Sequence, residues 1–389
     1  MPGRAIAAIF GVRPGIGGLG VQVANALRAL ATGSAVVHAI GPAAHDDIVR
    51  ELGPGVIWHV PPDPLPQAIG GRWRAGAQQL GQDEAIGRFA AATVSTLQPA
   101  LCYAFTQVAL ETLEWARTHQ VATVLENPNG HISNFRQVYV DEARRWCHGF
   151  FPGHPTGRMV ERVEREYLLA DRIRVSSEWS KRTMVSLGVP SGSVTVLQQI
   201  VDTDRFRPST RLPAEGPLRV SFVGTLDLRK GFVYLLEAMR SLGGRATLEI
   251  VGATGDWCSR RLYRNAAQGL SVRCEPGDPL PVLQRSELFV LPTLEDGSPF
   301  AVAEAMACGV PVVTTRDNGS AEWIREGQTG WIVPARDAAA LAAALQAAIA
   351  RRTRLADMGA AARADTLART DRRSLEDLCA WATSGRAVA

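Results

Sequence analysis

Residues 296–313, DGSPFAVAEAMACGVPVV, combine a predicted helix start with two acidic residues, Asp296 and Glu304. Ser298 is a favourable N-cap residue and Pro299 suits the first position of a helix, so the pattern predicts a helix that begins here. The backbone amides of Phe300 and Ala301 then lie among the donors that have no acceptor within the helix. Such a helix start predicts a binding site for a diphosphate group.

Glu304 lies inside this predicted helix, with alanine, valine or methionine at every other position from 301 to 307. A carboxylate among apolar side chains is costly unless hydrogen-bond donors reach it. The two neighbouring hydroxyls of a ribose would supply two hydrogen bonds from one ligand. We therefore predict that Glu304 binds a ribose, and a structural partner on a neighbouring loop is the alternative.

Two adjacent cations, Arg229 and Lys230, follow a predicted strand at 218–223 and a loop that begins with Gly224 and Thr225. In doubly wound domains, ligands bind at the carboxyl ends of the strands. The planar guanidinium and the compact ammonium together suit a diphosphate leaving group. An exposed basic turn without a function is the alternative.

His131 is the histidine best placed to act on a ligand. All seven histidines lie within the first 154 residues, so such a histidine must come from the N-terminal part of the chain. His131 follows a predicted strand at 121–125, in the polar loop ENPNGHISN. A solvated loop histidine is the alternative to a functional one.

The glycines Gly15, Gly17 and Gly20 spell G-x-G-x-x-G between a predicted strand and a predicted helix. This spelling is typical of dinucleotide binding, which also needs an acidic residue after the second strand. That strand instead runs into Gly41 and Pro42. A nicotinamide or flavin cofactor is therefore disfavoured, while an anion site at the helix start and a tight turn without a ligand both remain open.

Composition argues against several classes of partner and cofactor. A net charge of +4 over 389 residues is too small and too dispersed to indicate nucleic-acid binding. Cys147, His148 and His154 lack a fourth ligand that would complete a metal-site pattern, so we expect no metal and no cofactor. No C-x-x-C pair occurs, which favours reduced thiols in a cytoplasmic protein. The six cysteines are Cys102, Cys147, Cys258, Cys274, Cys308 and Cys379.

The expected location is the cytoplasm, because no signal peptide is predicted and no apolar run approaches the ~20 residues that a membrane span needs. Peripheral contact with the inner membrane face stays open as an alternative. Two basic and aromatic groups are candidates for it, although such groups are more often solvated helix faces. They are Arg72, Trp73 and Arg74, and Arg144, Arg145 and Trp146.

The elements that must position these residues alternate between strand and helix in both halves of the chain, which predicts parallel sheets covered by helices. A length of 389 residues favours two domains, and the irregular, proline-rich segment 198–217 separates them. We predict an α/β fold with two Rossmann-like, doubly wound domains that face a central cleft. The predicted domains are 1–200 and 201–370, and a helix within 371–389 packs back toward the N-terminal domain.

These motifs resemble those of the retaining glycosyltransferases of family 4, which have the GT-B fold. Asp296 and Glu304 are eight positions apart, as in the family's E-x7-E motif. The segment 318–337 is similar to the part that follows the motif helix, and the resemblance extends over most of the chain. It implies that Asp296 contacts hydroxyls of the transferred sugar and that Glu304 holds the ribose. It also implies that the diphosphate is bound by an adjacent pair, Arg229 and Lys230.

The resemblance also implies roles in the N-terminal half. Gly17 and Gly18 resemble glycines that lie near the donor phosphate and the acceptor, and His131 resembles a histidine that contacts the donor sugar. The implied catalytic residues are His131, Asp296, Arg229 and Lys230. The implied donor-binding residues are Gly17, Gly18, Gly224, Thr225, Ser298, Pro299, Phe300, Ala301 and Glu304.

Three positions depart from the family pattern. Asp296 replaces the usual glutamate, Thr225 stands where an arginine is common, and Pro299 has no N–H to donate. The resemblance nevertheless implies a metal-independent hexosyltransferase that moves a sugar from a nucleotide-sugar donor to an acceptor hydroxyl. The acceptor would be a glycan, a lipid-linked group or a small molecule, in polysaccharide or glycoconjugate biosynthesis. A nucleotide-sugar epimerase or hydrolase and a non-catalytic nucleotide-binding partner subunit are the alternatives.

Overall fold

The computed structural model describes residues 5–33, 35–62, 75–149, 155–209, 215–370 and 373–384. These residues form two compact units. The first unit contains the described residues within 1–136, 152–200 and 372–389, and the second contains those within 137–151 and 201–371. The chain therefore passes from one unit to the other four times.

A parallel sheet of seven strands, in the order β3-β2-β1-β4-β5-β6-β7, forms the centre of the first unit. Successive residues of its first strand alternate between two apolar clusters, since Ile6 and Ala8 belong to one and Ala7 and Ile9 to the other. Both faces of the sheet are therefore buried, which explains why the strands are short apolar runs. The strands are β1 (Ile6–Ile9), β2 (Val37–Ile40), β3 (Val56–His59), β4 (Leu101–Phe105), β5 (Ala122–Glu126), β6 (Arg172–Val175) and β7 (Val194–Val196).

Helices connect the strands of this sheet, as parallel pairing requires. Two of them have side-chain N-caps that were readable as start signals, Thr156 and Ser177. The helices are α1 (Gly17–Ala31), α2 (Asp46–Leu52), α3 (Ala75–Leu97), α4 (Leu110–His119), α5 (Ile132–Trp146), α6 (Gly157–Leu169) and α7 (Glu178–Ser186).

The second unit has a parallel sheet of six strands, in the order β10-β9-β8-β11-β12-β13. Both sheets therefore contain the strand order of a Rossmann fold, in which the chain starts in the middle and reverses direction once. The strands are β8 (Leu218–Val223), β9 (Ala246–Val251), β10 (Val272–Glu275), β11 (Leu288–Leu291), β12 (Val312–Thr315) and β13 (Gly330–Val333). The helices are α8 (Phe232–Ser241), α9 (Trp257–Ala266), α10 (Leu280–Arg285), α11 (Phe300–Ala307), α12 (Ala338–Ala350) and α13 (Leu355–Arg369).

The last described helix, α14 (Arg373–Thr383), belongs to the first unit. Leu378 joins the apolar cluster that contains Leu27 and Leu30 of α1. Arg172 of β6 donates a hydrogen bond to the carbonyl oxygen of Trp381 at 2.6 Å. Core packing and a charged donor thus fix the helix on this unit.

The segment 137–151 lies with the second unit, which differs from the predicted division at residue 200. Val138 packs against Tyr234 and Leu294. The buried carboxylate of Glu142 accepts hydrogen bonds from the Tyr234 hydroxyl at 2.8 Å and from Arg336 at 2.6 Å. These partners are about 90 to 190 positions away along the chain, so sequence periodicity carries no sign of them.

Cys147 and Cys258 form a disulfide bond in the second unit. The expectation of six reduced thiols is wrong for this pair, while Cys102, Cys274, Cys308 and Cys379 are free. The two bonded cysteines are separated by 111 positions, and short-range spacing therefore could not reveal them. The bond attaches the end of α5 to the start of α9.

Two other expectations concern the membrane and metals. Among the described residues, no helix is both long and apolar enough to cross a membrane. The candidate membrane group Arg72, Trp73 and Arg74 lies outside the described residues, as does His154 of the rejected metal cluster. In the other candidate group, Trp146 donates a hydrogen bond to Glu142 at 3.0 Å. The cytoplasmic location stays a prediction.

Candidate functional site

The loop after β8 holds Arg229 and Lys230 near the carboxyl edge of the second sheet. Asp227 caps the short turn that contains them by accepting a hydrogen bond from the Lys230 amide at 3.1 Å. Gly231 follows with φ of +69°, and a Cβ atom there would lie 2.0 Å from the carbonyl oxygen of Pro292. Only glycine fits this close approach, which holds the two cations against the loop that follows β11.

The start of the same loop contains the predicted donor-binding residues Gly224 and Thr225. The Gly224 amide donates to the carbonyl of Val251 at 2.9 Å, which continues the hydrogen bonding of β8 with β9. The Thr225 carbonyl accepts from the Asp227 amide at 2.9 Å, and the Thr225 residue is exposed. These two residues thus form the accessible turn between the strand and the cations.

Asp296 forms an ion pair with each of the two predicted diphosphate-binding residues. Its carboxylate contacts the Lys230 ammonium, and it lies 3.3 Å from the Arg229 guanidinium. Burial favours the neutral acid, but the two cations outweigh burial and lower the pKa of Asp296 below its ordinary value. The structure therefore brings together three of the four residues predicted to be catalytic, with Asp296 ionised.

Arg229 is further held by the loop after β11. Its guanidinium donates to the carbonyl oxygen of Glu295 at 2.6 Å, and the Arg229 carbonyl accepts from the Leu294 amide at 2.7 Å. Only 11% of the Arg229 side chain is exposed, compared with 15% for Lys230. Both cations thus have restricted positions before any ligand binds, which is what charge stabilisation in a site requires.

The motif helix α11 begins one residue later than its sequence predicts. Pro299 is the N-cap, with no side-chain cap, and Phe300 is the first helical residue. The expectation that Ser298 caps the helix and that Pro299 occupies its first position is wrong. The backbone of Pro299 is extended, with ψ of 126°, so the first helical turn begins only at Phe300. The amides of Phe300 and Ala301 remain at positions without acceptors inside the helix, as predicted from the pattern.

Glu304 lies on α11, with apolar side chains on both sides of it in the sequence. No donor among the described residues forms a hydrogen bond with its carboxylate, but the charge of Arg205 attracts it, so a ribose and a structural partner both stay open. Burial raises the pKa of Glu304 to about 7, against a partly offsetting attraction to Arg205. Glu304 is half-buried, so its carboxylate remains accessible to a ligand with two hydroxyls.

If Glu304 binds a ribose, nucleotide affinity should depend on pH. The ionised carboxylate is the better acceptor, so affinity should be full above pH 7 and should fall as the pH drops through 7. At pH 6, one unit below this pKa, only about a tenth of the carboxylate is ionised, so we expect binding of the donor nucleotide to be about tenfold weaker at pH 6 than at pH 8. Titration calorimetry across this range measures it.

Glu304→Gln should bind about tenfold or more weakly at pH 8 and should lose the pH step. The matched control is Glu237→Gln, which changes an exposed glutamate of the same unit. An unchanged pH dependence in Glu304→Gln would remove Glu304 from the ribose site.

Sequence reasoning missed two residues that position this cluster. Tyr139, on the second half of α5, is buried and hydrogen-bonds the Arg229 guanidinium, and burial raises the pKa of its hydroxyl. The side chain of Asn318 donates to the Thr315 carbonyl at 2.7 Å, while the Gly319 amide donates to the Asp296 carbonyl at 3.0 Å. The segment that begins NGS was a usable signal for Asn318, whereas nothing local connects Tyr139 with Arg229.

In the first unit, His131 lies just before α5 and is only 3% exposed, so it is not a solvated loop residue. Its Nδ1 accepts a hydrogen bond from the Ser133 amide at 3.1 Å, and its own amide donates to the Thr183 hydroxyl at 3.0 Å. Burial lowers the pKa of His131. A neutral ring whose Nδ1 is an acceptor carries its proton on Nε2, which leaves that nitrogen as a donor.

Gly17 and Gly18 are the first two residues of α1, at the carboxyl end of β1. Both are exposed, and a Cβ atom on Gly17 would meet no atom within 4 Å. The Gly15 amide donates to the carbonyl of Gly20 at 2.8 Å, which closes the turn in front of the helix. The loop therefore has space for a ligand beside the helix start.

No group of three or more potential metal ligands occurs among the described residues. At the carboxyl edge of the second sheet, Arg229 and Lys230 lie with the ionised Asp296, and the half-buried Glu304 lies on α11, which begins four residues after Asp296. Together with the amides of the α11 start, they form a site that can bind a diphosphate and a group rich in hydroxyls.

Two Rossmann-like units, each built on a parallel sheet, define the GT-B class of folds. Solved structures with a similar fold agree with this assignment. Sucrose-phosphate synthase from Thermosynechococcus elongatus is similar over 96% of this chain and 96% of its own, with a TM-score of 0.74 and 18% identity. HepE from Anabaena, solved with UDP and glucose, covers 98% of this chain and 99% of its own, with a TM-score of 0.71 and 16% identity. The predicted α/β GT-B fold is confirmed.

Residues 217–351 match the family described as glycosyl transferases group 1. The amylovoran biosynthesis glycosyltransferase AmsK of Erwinia amylovora is 31% identical over 187 residues, which is 44% of this chain and 45% of its own. Glycogen synthase of Mycobacterium tuberculosis H37Rv is 28% identical over 263 residues, or 65% of this chain and 61% of its own. The chain thus spans about half to three fifths of these relatives, and residues 217–351 carry the sequence pattern of a group 1 glycosyltransferase domain.

Proposed function

We propose that this protein is a retaining family 4 glycosyltransferase that moves a hexose from a nucleotide-sugar donor to an acceptor hydroxyl. The observation that carries the proposal is the cluster of Arg229, Lys230 and Asp296. Asp296 lies four residues before α11, the helix that bears Glu304. HepE, solved with UDP-glucose, and AmsK, named for amylovoran biosynthesis, support a nucleotide-sugar donor and a role in polysaccharide or glycoconjugate synthesis.

The proposed transfer requires stabilisation of the departing diphosphate. The bond between the anomeric carbon and the diphosphate oxygen breaks, and its electron pair moves to the diphosphate. The acceptor oxygen bonds to the anomeric carbon on the same face, and the acceptor proton goes to a diphosphate oxygen. Lys230, Arg229 and the amides at the α11 start stabilise the developing negative charge, so that no metal is needed for this role.

The remaining residues orient the donor. Glu304 accepts hydrogen bonds from the ribose hydroxyls, and Asp296 accepts them from hydroxyls of the transferred sugar. When the donor binds, Lys230 shares its charge between Asp296 and the phosphate oxygens. His131 donates from Nε2 to the donor sugar, and Gly17 and Gly18 leave space beside the α1 helix start.

The test is a thermal-shift and turnover screen of the purified protein against UDP-, GDP-, ADP- and dTDP-sugars, without acceptor and without added metal. One nucleotide should raise the melting temperature, because ligand at 100 times its Kd stabilises by about 2.7 kcal/mol. Hydrolysis of that donor should be slow, and chelation by EDTA should not change either result.

Two outcomes of this screen contradict the proposal. Rapid conversion of the donor without an acceptor would identify a nucleotide-sugar epimerase or hydrolase. The absence of any thermal shift, at millimolar nucleotide-sugar, would instead favour a non-catalytic subunit.

A further inference from the structure

A groove of about 750 Å³ lies in the second unit, where the end of α5, the helix α8 and the loop between β13 and α12 meet. This volume is within the range of about 300–1,000 Å³ that is usual for small-molecule sites. None of the residues assigned to the donor lines the groove. The lining includes Arg145, Trp146, Tyr234, Glu237, Arg336 and Asp337.

Trp146 presents a fixed aromatic ring to this groove. Its indole N–H donates to the buried carboxylate of Glu142 at 3.0 Å, and its ring meets that of Tyr234 edge to face, with centroids 5.7 Å apart. Trp146 is only half-buried, so part of the ring stays accessible. A ring that is already held in place offers apolar contact area to a ligand at a low cost in side-chain entropy.

The loop after β13 is also held in place. Arg336 has φ of +62°, which is unfavourable for a residue with a side chain. Its guanidinium donates to Glu142 at 2.6 Å, while the Asp337 carboxylate accepts from the Ala340 amide at 2.8 Å and caps α12. One buried carboxylate, Glu142, therefore fixes both the ring of Trp146 and the side chain of Arg336.

The charges of the groove are balanced between the two signs. Two guanidinium groups, Arg145 and Arg336, line it together with two carboxylates, Glu237 and Asp337. An anionic ligand would meet the carboxylates as well as the cations, and one cation is already bonded to Glu142. A neutral ligand that both donates and accepts hydrogen bonds suits such a lining.

The apolar part of the groove is too small to hold a lipid chain. Apart from Trp146 and the buried Tyr234, the apolar lining consists of Pro334 and three alanines. Among the described residues, no leucine, isoleucine, valine, phenylalanine or methionine lines it. A hydrocarbon ligand would therefore gain little from burial here, although Arg145 and Trp146 belong to a candidate membrane group.

We propose that this groove binds a neutral saccharide, whose apolar ring face packs on Trp146 while its hydroxyls hydrogen-bond to Arg145 and Glu237. A sugar ring combines a C–H face with hydroxyls that both donate and accept. Arg145 and Glu237 are exposed, and neither side chain forms an ion pair or a hydrogen bond with another described residue. The groove is thus a second ligand site, which goes beyond the donor site of the proposed function.

The test uses neutral trisaccharides as probes. Saturation-transfer NMR on the full chain measures the affinities of maltotriose, cellotriose and mannotriose, with glucose 6-phosphate as the anionic comparison. We expect at least one trisaccharide to bind, and to bind more tightly than glucose 6-phosphate does. Trp146→Ala, which removes the aromatic ring, should weaken that trisaccharide on the order of tenfold or more.

Three further variants keep the result interpretable. Trp146→Phe retains an aromatic ring and should weaken the probe less than Trp146→Ala does. Arg145→Gln removes an exposed charge that has no ion-pair partner among the described residues, so it serves if both Trp146 variants fail to fold, and it should weaken the probe about threefold or more. Trp115→Ala changes a half-buried tryptophan of the first unit and should leave the affinity unchanged.

The inference fails if no trisaccharide binds the wild-type chain, or if the variants at Trp146 and Arg145 bind the probe as tightly as the wild type. Tighter binding of glucose 6-phosphate than of every trisaccharide would also overturn it. So would cosedimentation with phosphatidylglycerol vesicles that is lost in Trp146→Ala, because the ring would then contact a membrane. Thermal stabilisation by nucleotide sugars is measured separately, so a groove without saccharide binding leaves the proposed function standing.

Discussion

Replacing Lys230 with alanine should lower turnover of the nucleotide sugar on the order of 100-fold or more, as does removal of one preorganised donor from an active site. The Lys230 ammonium contacts Asp296, and the turn that carries it is fixed by the Asp227 cap and by the close approach of Gly231 to Pro292. It is thus placed to meet negative charge that develops on the diphosphate. Release of nucleoside diphosphate under saturating donor measures the effect.

The control for this variant comes from the composition of the chain, which has only two lysines, Lys181 and Lys230. Lys181 lies on α7 in the first unit, and Lys181→Ala should retain full turnover. Lys181→Ala should melt close to the wild-type temperature, whereas Lys230→Ala should melt at a lower temperature because the buried Asp296 keeps only Arg229 as a partner. Turnover is therefore compared at a temperature at which both variants are folded. A Lys230→Ala protein with an unchanged rate would show that Lys230 does not stabilise the leaving group.

Replacing Arg174 with methionine should destabilise the protein by about 3–5 kcal/mol, the usual cost of removing one partner of a buried ion pair. Arg174 pairs with Glu126 at the end of β5, where their side chains are 4% and 0% exposed. Gln22 and Tyr103 also donate to this carboxylate. Without the guanidinium, a buried negative charge loses its main compensation. Urea unfolding, followed by circular dichroism, measures the difference in the free energy of unfolding.

Two comparisons isolate the cause of that loss. Arg165→Met removes an exposed pair with Glu114, whose side chains are 63% and 40% exposed, and should cost about 1 kcal/mol or less. The double variant Glu126→Gln, Arg174→Met removes the buried charge as well and should recover part of the stability. If Arg174→Met costs no more than Arg165→Met, the buried pair does not contribute as proposed.

The predictable part of this molecule is the part that depends on short stretches of sequence. Alternating apolar runs and helical segments indicated parallel sheets, because each parallel pair needs a crossover and both faces become buried. Arg229 and Lys230 were recognisable from their position after β8. The resemblance assigned Asp296 and the two cations to the same donor, but their direct contact became visible only in the structure, where β8 and β11 are neighbours in the sheet.

The parts that escaped prediction depend on contacts between distant positions. Nothing near residues 137–151 indicates that Glu142 meets Arg336 or that Cys147 meets Cys258, because each contact is created by the packing of the whole unit. The helix start at Phe300 differed by only one residue, since Pro299 can serve either as cap or as first residue.

The four passages of the chain between the two units have a consequence for the order of events during synthesis. When residue 200 leaves the ribosome, the first unit still lacks α14, whose Leu378 fills the cluster around α1. The segment 137–151 is by then already made, but its partners Tyr234 and Cys258 are not. The unit that is started first is therefore completed only after the second unit has been made, and the nascent chain exposes apolar surface of α1 until α14 has emerged.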